Sequence, residues 1–339
     1  MPKKKRKTTK KTLAQTIHQR NRRKTPFRNV QKDGVTYSFL DEWLMCREQA
    51  RLSYVEGWSK QGLAVPLDFG LAFHDCLEWI AKGRSPKTVH NKVIAPYLER
   101  KLAAKNKLRP DEVVKLTELL RSVEVVFQEY AYYYSDTDED FQYIYQEKSF
   151  KVDHTLPSGK TIPLRGRWDA VYKENGKIWL MENKTKGQID EEGILASLPS
   201  DLQTMLYVFA LEKHLGQEVE GVLYTGIRRP GLRKKKTENT GEFIERIQDD
   251  VVKRPEWYFM RWRVEFLPED ITTWVSEKLN PILEQVALWW ESIKDNPFEP
   301  GDSPFHYQNP TALFTKYGRS KYFDVLTKNT YAGLYQREN

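Results

Sequence analysis

Residues 165–184 read RGRWDAVYKENGKIWLMENK, two β-rich runs joined at Glu174-Asn175-Gly176. An Asn-Gly step suits the left-handed backbone of a tight turn, and the Val, Tyr, Trp and Ile around it favour pleated chain. Working outward, QYIYQEKSFKV (142–152) and the run from Thr161 to Lys173 are separated by Pro157-Ser158-Gly159, so three strands form an antiparallel meander. Pro199 and Ser200 open a helix with Leu202, Leu206 and Phe209 at helical spacing, ending near Gly216, and EGVLYTGI (220–227) adds a strand. Upstream the chain is mostly helical. A first helix runs from Ser38 until Gly57, with Phe39, Trp43, Leu44, Arg47, Ala50, Arg51 and Tyr54 alternating faces; others span Leu67 to Ile80, Pro86 to about Ala104, and Asp111 to Tyr134. Downstream, RRPGLRKKK (228–236) reads as an exposed basic loop, PEWYFMRWRVEF (255–266) contains a strand, and Glu269 to Lys294 is a long helix. From Asn296 onward periodicity fades and irregular structure is expected. The order helix, three strands, helix, strand predicts an α/β (α+β) fold with helices against one mixed sheet.

The 339 residues are 39% hydrophobic and include 10 Trp, 18 Tyr and 15 Phe, which excludes a disordered or fibrous chain. No apolar run approaches the roughly 18 residues of a membrane span, so the expectation is a soluble, non-secreted protein with no membrane association. Cys46 and Cys76 cannot build a disulfide framework or, alone, hold zinc or an iron–sulfur cluster, which fits a reducing compartment. The formal charge of +8 is local: Met1 to Arg28 holds 12 of the 55 basic residues and none of the 47 acidic ones, leaving 43 against 47, a net of −4. This arm, with Lys3, Lys4, Lys5 and Arg6 at its start, reads as a flexible polycation over residues 1–32. A solubility tail, an import signal or engineered tag in PKKKRK, and a nucleic-acid-binding arm all fit it.

Asp169 in the second strand of the meander and Glu182 in the third bring two carboxylates together, and Lys184 follows Glu182 on the same strand face. Such a pair can hold a hard divalent cation that polarises a phosphate, with the lysine orienting water and offsetting charge on the phosphorus. A surface salt bridge on a hairpin gives the same pattern. Gln203 and Tyr207 stand one turn apart on the next helix and can face the same cleft, and His74 lies four residues after Gly70 on an apolar-faced helix.

Taken in order, Gly70-x-x-x-His74, Gly166-x-x-Asp169, Glu182-x-Lys184 and Gln203-x-x-x-Tyr207, on helix, strand, strand and helix, resemble the RecB-like branch of the PD-(D/E)XK nuclease superfamily. The resemblance covers Ser38 to Ile227 and implies a restriction-endonuclease-like αβββαβ core with a helical insertion after the histidine helix. It implies His74, Asp169 and Glu182 as metal ligands with the backbone carbonyl of Asn183, Lys184 as the catalytic lysine, Gln203 and Tyr207 as positioning groups, and Glu147 as a further acid. The implied organisation is the basic arm followed by a single nuclease domain over 33–339: a helical region with the histidine (33–135), the catalytic core (136–230) and a C-terminal part (231–339). TYSFLDEWLMCREQARLSY (36–54) looks like the segment in which cluster-bearing members of this branch, those of CRISPR adaptation and those associated with helicases, place their first cysteine, here Cys46. YGRSKYFDVL (317–326) resembles their closing segment, but Ser320 and Leu326 stand where cysteines are expected. No iron–sulfur cluster is therefore expected, and Tyr317, Tyr322 and Phe323 must hold the tail by packing.

The implied function is a Mg²⁺- or Mn²⁺-dependent DNA nuclease of recombination or repair type, an exonuclease or a single-strand-directed enzyme. A structure-directed endonuclease and a non-catalytic nucleic-acid-binding protein are the alternatives. DNA would be met by the arm and by Arg228, Arg229, Lys234 and Lys235, and a helicase or single-strand-binding protein is a plausible companion. The expected location is the cytoplasm of a prokaryote or phage-infected cell, or the nucleus if PKKKRK acts as an import signal.

Overall fold

The computed structural model describes residues 23–103, 108–315 and 318–338. Lys3, Lys4, Lys5, Arg6 and Tyr317 lie outside the described residues. The chain divides into two compact units, one of residues 23–33, 38–61 and 288–338, the other of 34–37 and 62–287.

The larger unit carries a six-stranded mixed sheet: β1 (Val35–Thr36), β2 (Gln142–Thr155), β3 (Thr161–Glu174), β4 (Lys177–Lys186), β5 (Gly221–Arg228) and β6 (Phe259–Glu265). β2, β3 and β4 form the expected antiparallel meander. Asn175 and Gly176 turn the β3–β4 hairpin with φ of 51° and 80°, the two successive left-handed residues of a two-residue loop. β5 runs parallel to β4, and a parallel pair needs a crossover. Helices α3 (Glu191–Ser197) and α4 (Leu202–Leu215) supply it. β6 closes the far side antiparallel to β5.

One detail of the ladder positions the site. β3 pairs with β2 along nearly its full length, with β1 at Leu164 and Arg165, and with β4 only from Ala170 onward. Between Arg165 and Ala170 the second edge of β3 has no strand partner among the described residues. The sheet forks there, at the Gly166 to Asp169 segment.

Helix α1 (Val65–Ala81) begins with Pro66, whose missing N–H costs nothing in a first turn, and buries Phe69, Ala72, Phe73, Cys76 and Leu77 at the i, i+3, i+4, i+7, i+8 spacing of one helical face. The helical insertion follows. It includes α2 (Pro110–Tyr133), whose Phe127 and Tyr130 meet Phe73 edge-on at 5.6 and 5.5 Å. These helices share a core with Ile227, Phe259 and the buried face of α5 (Thr240–Lys253). The order helix, three strands, helix, strand is that of the αβββαβ core, and the mixed α/β class expected from the sequence is observed.

Several boundaries differ from expectation. The helix from Ser38 to Gly57 is not continuous: Tyr37–Met45 stops at Cys46, which is extended at φ −164° and ψ 114°, and the chain resumes as Arg47–Ala50 and a π-helical turn, Arg51–Val55. Pro199 and Ser200 lie in a 3₁₀ turn. Asp201 starts α4 instead, its carboxylate accepting the Thr204 N–H at 2.8 Å, and Gly216 ends it at φ 64°. Pro86 to Ala104 holds a 3₁₀ turn, a π-helical turn and only then a helix, Ala95–Ala103. The long helix expected from Glu269 is present as Pro268–Trp274 and Asn280–Ile293 with a π-helical turn between. Among the described residues no single helix is long and apolar enough to cross a membrane.

In the smaller unit Arg51 is buried between Glu48, at 2.6 Å, and Glu56, at 2.5 Å. Tyr322, fully buried, donates its hydroxyl to the Trp58 carbonyl at 2.7 Å and packs with Leu52 and Leu334, while Phe323 meets Phe314 edge-on. Cys46 is buried and accepts the Asn309 N–H at 3.3 Å, and Ser320 donates to Gln49 at 2.8 Å. The tail is less irregular than expected, with a 3₁₀ turn at Pro310–Leu313, a helix at Phe323–Lys328, and Leu334–Gln336 paired to Trp58–Lys60.

Candidate active site

The fork in β3 gathers three side chains from three elements. His74 of α1, Glu147 of β2 and Asp169 of β3 offer ligand atoms that all lie within 4.8 Å of one another. His74 Nδ1 is 3.3 Å from Glu147 Oε1 and 3.6 Å from Asp169 Oδ1. Glu147 reaches this point through an unusual backbone: it sits mid-strand at φ 47°, a left-handed conformation that costs a non-glycine residue about 1–3 kcal/mol. Gly70 lets α1 approach the sheet, since a Cβ there would stand 3.1 Å from Thr185 Oγ1.

Asp169 does a second job. Its Oδ2 accepts the backbone N–H of Asn183 at 2.7 Å, replacing the ladder bond lost where β4 separates from β3. Asn183 is held from behind, because the Tyr130 hydroxyl donates to its Oδ1 at 3.2 Å and Arg261 donates to that hydroxyl at 3.0 Å. Tyr130 and Arg261 were not among the residues singled out from the sequence. Arg167 was also missed, although it lies two residues from Asp169; its guanidinium is 3.1 Å from Glu147 Oε2.

Glu182 and Lys184 form the second half of the site. Lys184 Nζ lies 2.9 Å from Glu182 Oε2, with Glu182 1% exposed and Lys184 26%. Neither oxygen of Glu182 makes a well-formed hydrogen bond, so a buried carboxylate is left with unfilled acceptor capacity. Gln203 lines a cavity beside Lys184, and the Tyr207 ring one turn further along the helix packs edge-on against Phe150 at 5.4 Å. Gly166 makes room for both rings: a Cβ there would fall 2.6 Å from Phe150 and 2.8 Å from Tyr207.

The charges in this cluster act on one another. Burial disfavours the His74 imidazolium, but Asp169 and Glu147 outweigh it and raise the pKa above the ordinary value. Burial, and then the neighbouring Asp169, push Glu147 and Glu182 upward against the pull of His74 and Lys184. Lys184 is raised, with Glu182 and Asp169 overcoming the cost of burial. Tyr207 is raised by burial and by Glu182, so it stays a hydroxyl donor at neutral pH. Lys184 and Arg167 each meet one of these carboxylates, and His74 stands close to both Glu147 and Asp169. One imidazole nitrogen with several carboxylate oxygens is a donor set suited to a divalent cation.

The structure thus brings together His74, Glu147, Asp169, Glu182, Asn183 and Lys184, with Gln203 and Tyr207 at the edge. It does not treat the basic loop as one surface. Arg228 is a correction: it is 9% exposed, stacked 3.8 Å over Trp257 and donating to that residue's carbonyl, because it still belongs to β5. Arg229 reaches toward the Thr185 carbonyl, Lys234 is paired with Glu118 at 2.7 Å, and Lys235 is exposed.

Residues 34–304 match the family described as the PD-(D/E)XK nuclease superfamily. No curated protein matches the sequence. Among solved structures the chain is similar to one described as the crystal structure of SSO0001, at 13% identity over 74% of this chain and 84% of that one, with a TM-score of 0.28. The family match spans the sheet, the fork and all the residues gathered there, and the chain belongs to the PD-(D/E)XK nuclease superfamily of metal-dependent phosphodiester hydrolases.

Proposed function

We propose that the protein is a RecB-like DNA nuclease, acting on single strands or strand ends in recombination or repair. The observation that carries this reading is the buried Glu182, unsatisfied at both oxygens yet paired with Lys184, beside the His74, Glu147 and Asp169 cluster. His74, Asp169, Glu182 and the Asn183 carbonyl would hold the cation, with Glu147 as an additional acidic ligand. When bound, the cation supplies Lewis acidity toward the phosphate and lowers the pKa of water.

The chain's own groups do the rest. Lys184, kept cationic by Glu182, orients the attacking water and offsets negative charge growing on the phosphorus. Tyr207 and Gln203 fix the flank of the lysine and offer donors to the strand. Water adds to phosphorus and the 3′ oxygen departs with a proton, leaving a 5′-phosphate and a 3′-hydroxyl. A helicase or single-strand-binding protein would deliver the strand, and residues 1–22 together with Arg229 and Lys235 would attract it.

The test is incubation of end-labelled single- and double-stranded DNA with Mg²⁺, Mn²⁺ or chelator. Metal-dependent loss of single strands or shortening from an end supports the reading; DNA binding without cleavage in either metal would make the protein a binder on a nuclease fold.

A further inference from the structure

A cavity of about 310 Å³ is lined in part by Lys184. That volume is at the small end of the roughly 300–1,000 Å³ range of small-molecule sites. Its lining is divided: half-buried Tyr37 and buried Tyr224 are aromatic, Ile194 and Leu198 are apolar, and Lys184 and Lys186 supply two cations against the one carboxylate of Asp201. Lys186 Nζ stands 5.8 Å from the Tyr224 ring centroid.

Position connects this cavity to the chemistry. Tyr224 and Glu182 are register partners on the parallel strands β5 and β4, so their side chains leave the same sheet face one strand spacing apart, about 4.8 Å. Lys184 contacts Glu182 and also lines the cavity. A phosphate held at the carboxylates therefore has its neighbouring nucleotide at the cavity mouth. An aromatic ring beside cations is what a base and its phosphate need, and stacking accepts any base because every base has a π-face.

We infer that this cavity is a one-nucleotide subsite, taking the nucleoside 5′-phosphate unit next to the scissile bond with its base stacked on Tyr37 and its phosphate against Lys186. This deepens the nuclease reading and rests on it for the identity of the scissile bond. The subsite would make the enzyme sensitive to a missing base at one position and indifferent to which base is there.

The experiment has two arms. In the first, cleavage of a single-stranded oligonucleotide is compared with that of the same strand carrying an abasic residue next to the scissile bond, for the unaltered protein, Tyr37→Leu and Tyr37→Phe. The base should lower KM by about 5- to 100-fold in the unaltered protein and in Tyr37→Phe, with a much smaller gap in Tyr37→Leu. In the second, binding of dAMP and of dTMP is measured in chelator by titration calorimetry, with Lys186→Gln and Tyr37→Leu each weakening it at least several-fold. Matching melting curves exclude misfolding. Equal KM for intact and abasic strands, or an equal loss in Tyr37→Leu on both, would overturn the subsite while leaving nuclease activity standing. If no strand is cut, the second arm still decides: Tyr37-dependent dAMP binding keeps the subsite, and its absence removes it.

Discussion

Lys184 Nζ and Glu182 Oε2 lie 2.9 Å apart on one strand, and the carboxylate is buried without a well-formed hydrogen bond from any neighbour. The pair has a division of labour. Glu182 keeps the lysine charged, and the lysine makes a buried carboxylate tolerable.

On the role proposed for Lys184 in the transition state, Lys184→Ala is expected to lower kcat by at least two orders of magnitude while DNA affinity changes less than several-fold. Single-turnover cleavage and filter binding measured side by side check this. Surviving turnover would remove the lysine from the chemistry.

Asp169 belongs to the candidate cation cluster with His74 and Glu147 and also accepts the Asn183 N–H. Asp169→Ala should therefore abolish both Mn²⁺ binding and cleavage and also destabilise the fold, by about 1–3 kcal/mol for the orphaned amide. Glu147→Gln should weaken Mn²⁺ binding with little effect on melting. Calorimetric titration with Mn²⁺ and thermal melting separate the two, and chelator should stop cleavage in the parent protein.

Gly166→Ala tests the packing beneath Tyr207. A Cβ 2.6 Å from Phe150 and 2.8 Å from Tyr207 must push both rings, and overpacking of this kind costs about 1–3 kcal/mol. Activity should fall along with melting temperature. Gly70→Ala, whose nearest neighbour is at 3.1 Å, should be the milder change.

The smaller unit carries an acid-sensitive tie. Burial works against the Glu48 carboxylate, but Arg51 and His306 outweigh it and lower its pKa from 4.5 to about 2. A depressed carboxylate pKa stabilises the folded state fully above pH 4.5, and the stabilisation is lost as pH falls through about 2. At neutral pH this is worth about 3 kcal/mol, at roughly 1.4 kcal/mol per unit. Glu48→Gln should melt earlier than the parent at pH 7, with the gap closing between pH 4.5 and 2. A constant gap across that range would contradict the assignment.

Removing residues 1–22 should weaken DNA binding and flatten its salt dependence, since each neutralised single-strand phosphate contributes a log–log slope of about −0.7. Turnover at saturating DNA should hold. The cut falls before Arg23 because Phe27 already belongs to the smaller unit, its N–H bonded to the Val55 carbonyl at 2.7 Å. An unchanged slope would leave the arm a tag or solubility tail.

The β3–β4 hairpin was legible because its signals are local: an Asn-Gly turn and two runs of β-formers. Helix α5 was just as local and still overlooked, with Asn239 and Glu242 forming a capping box ahead of Phe243, Ile244, Ile247 and Val251. Helix α3 is short, with only the Asp190 cap to announce it. The break at Cys46 is different, since that residue has no helix-breaking character and the extended backbone comes from its surroundings. The same holds for the site. His74, Asp169, Glu182 and Lys184 could be found as spaced motifs, whereas Tyr130 and Arg261 act on Asn183 from 53 and 78 residues away and leave no pattern in the chain. Arg228 reads as loop only because the strand before it ends one residue later than its composition suggests.

The left-handed backbone at Glu147 sets stability and chemistry at odds. Glycine adopts φ 47° without penalty, so Glu147→Gly would relax the strand while emptying one corner of the cluster. A laboratory selection that rewards heat resistance alone would drift toward that exchange and discard the carboxylate. If Glu147 serves cleavage as proposed, retaining glutamate there requires a selection that also reads out cleavage.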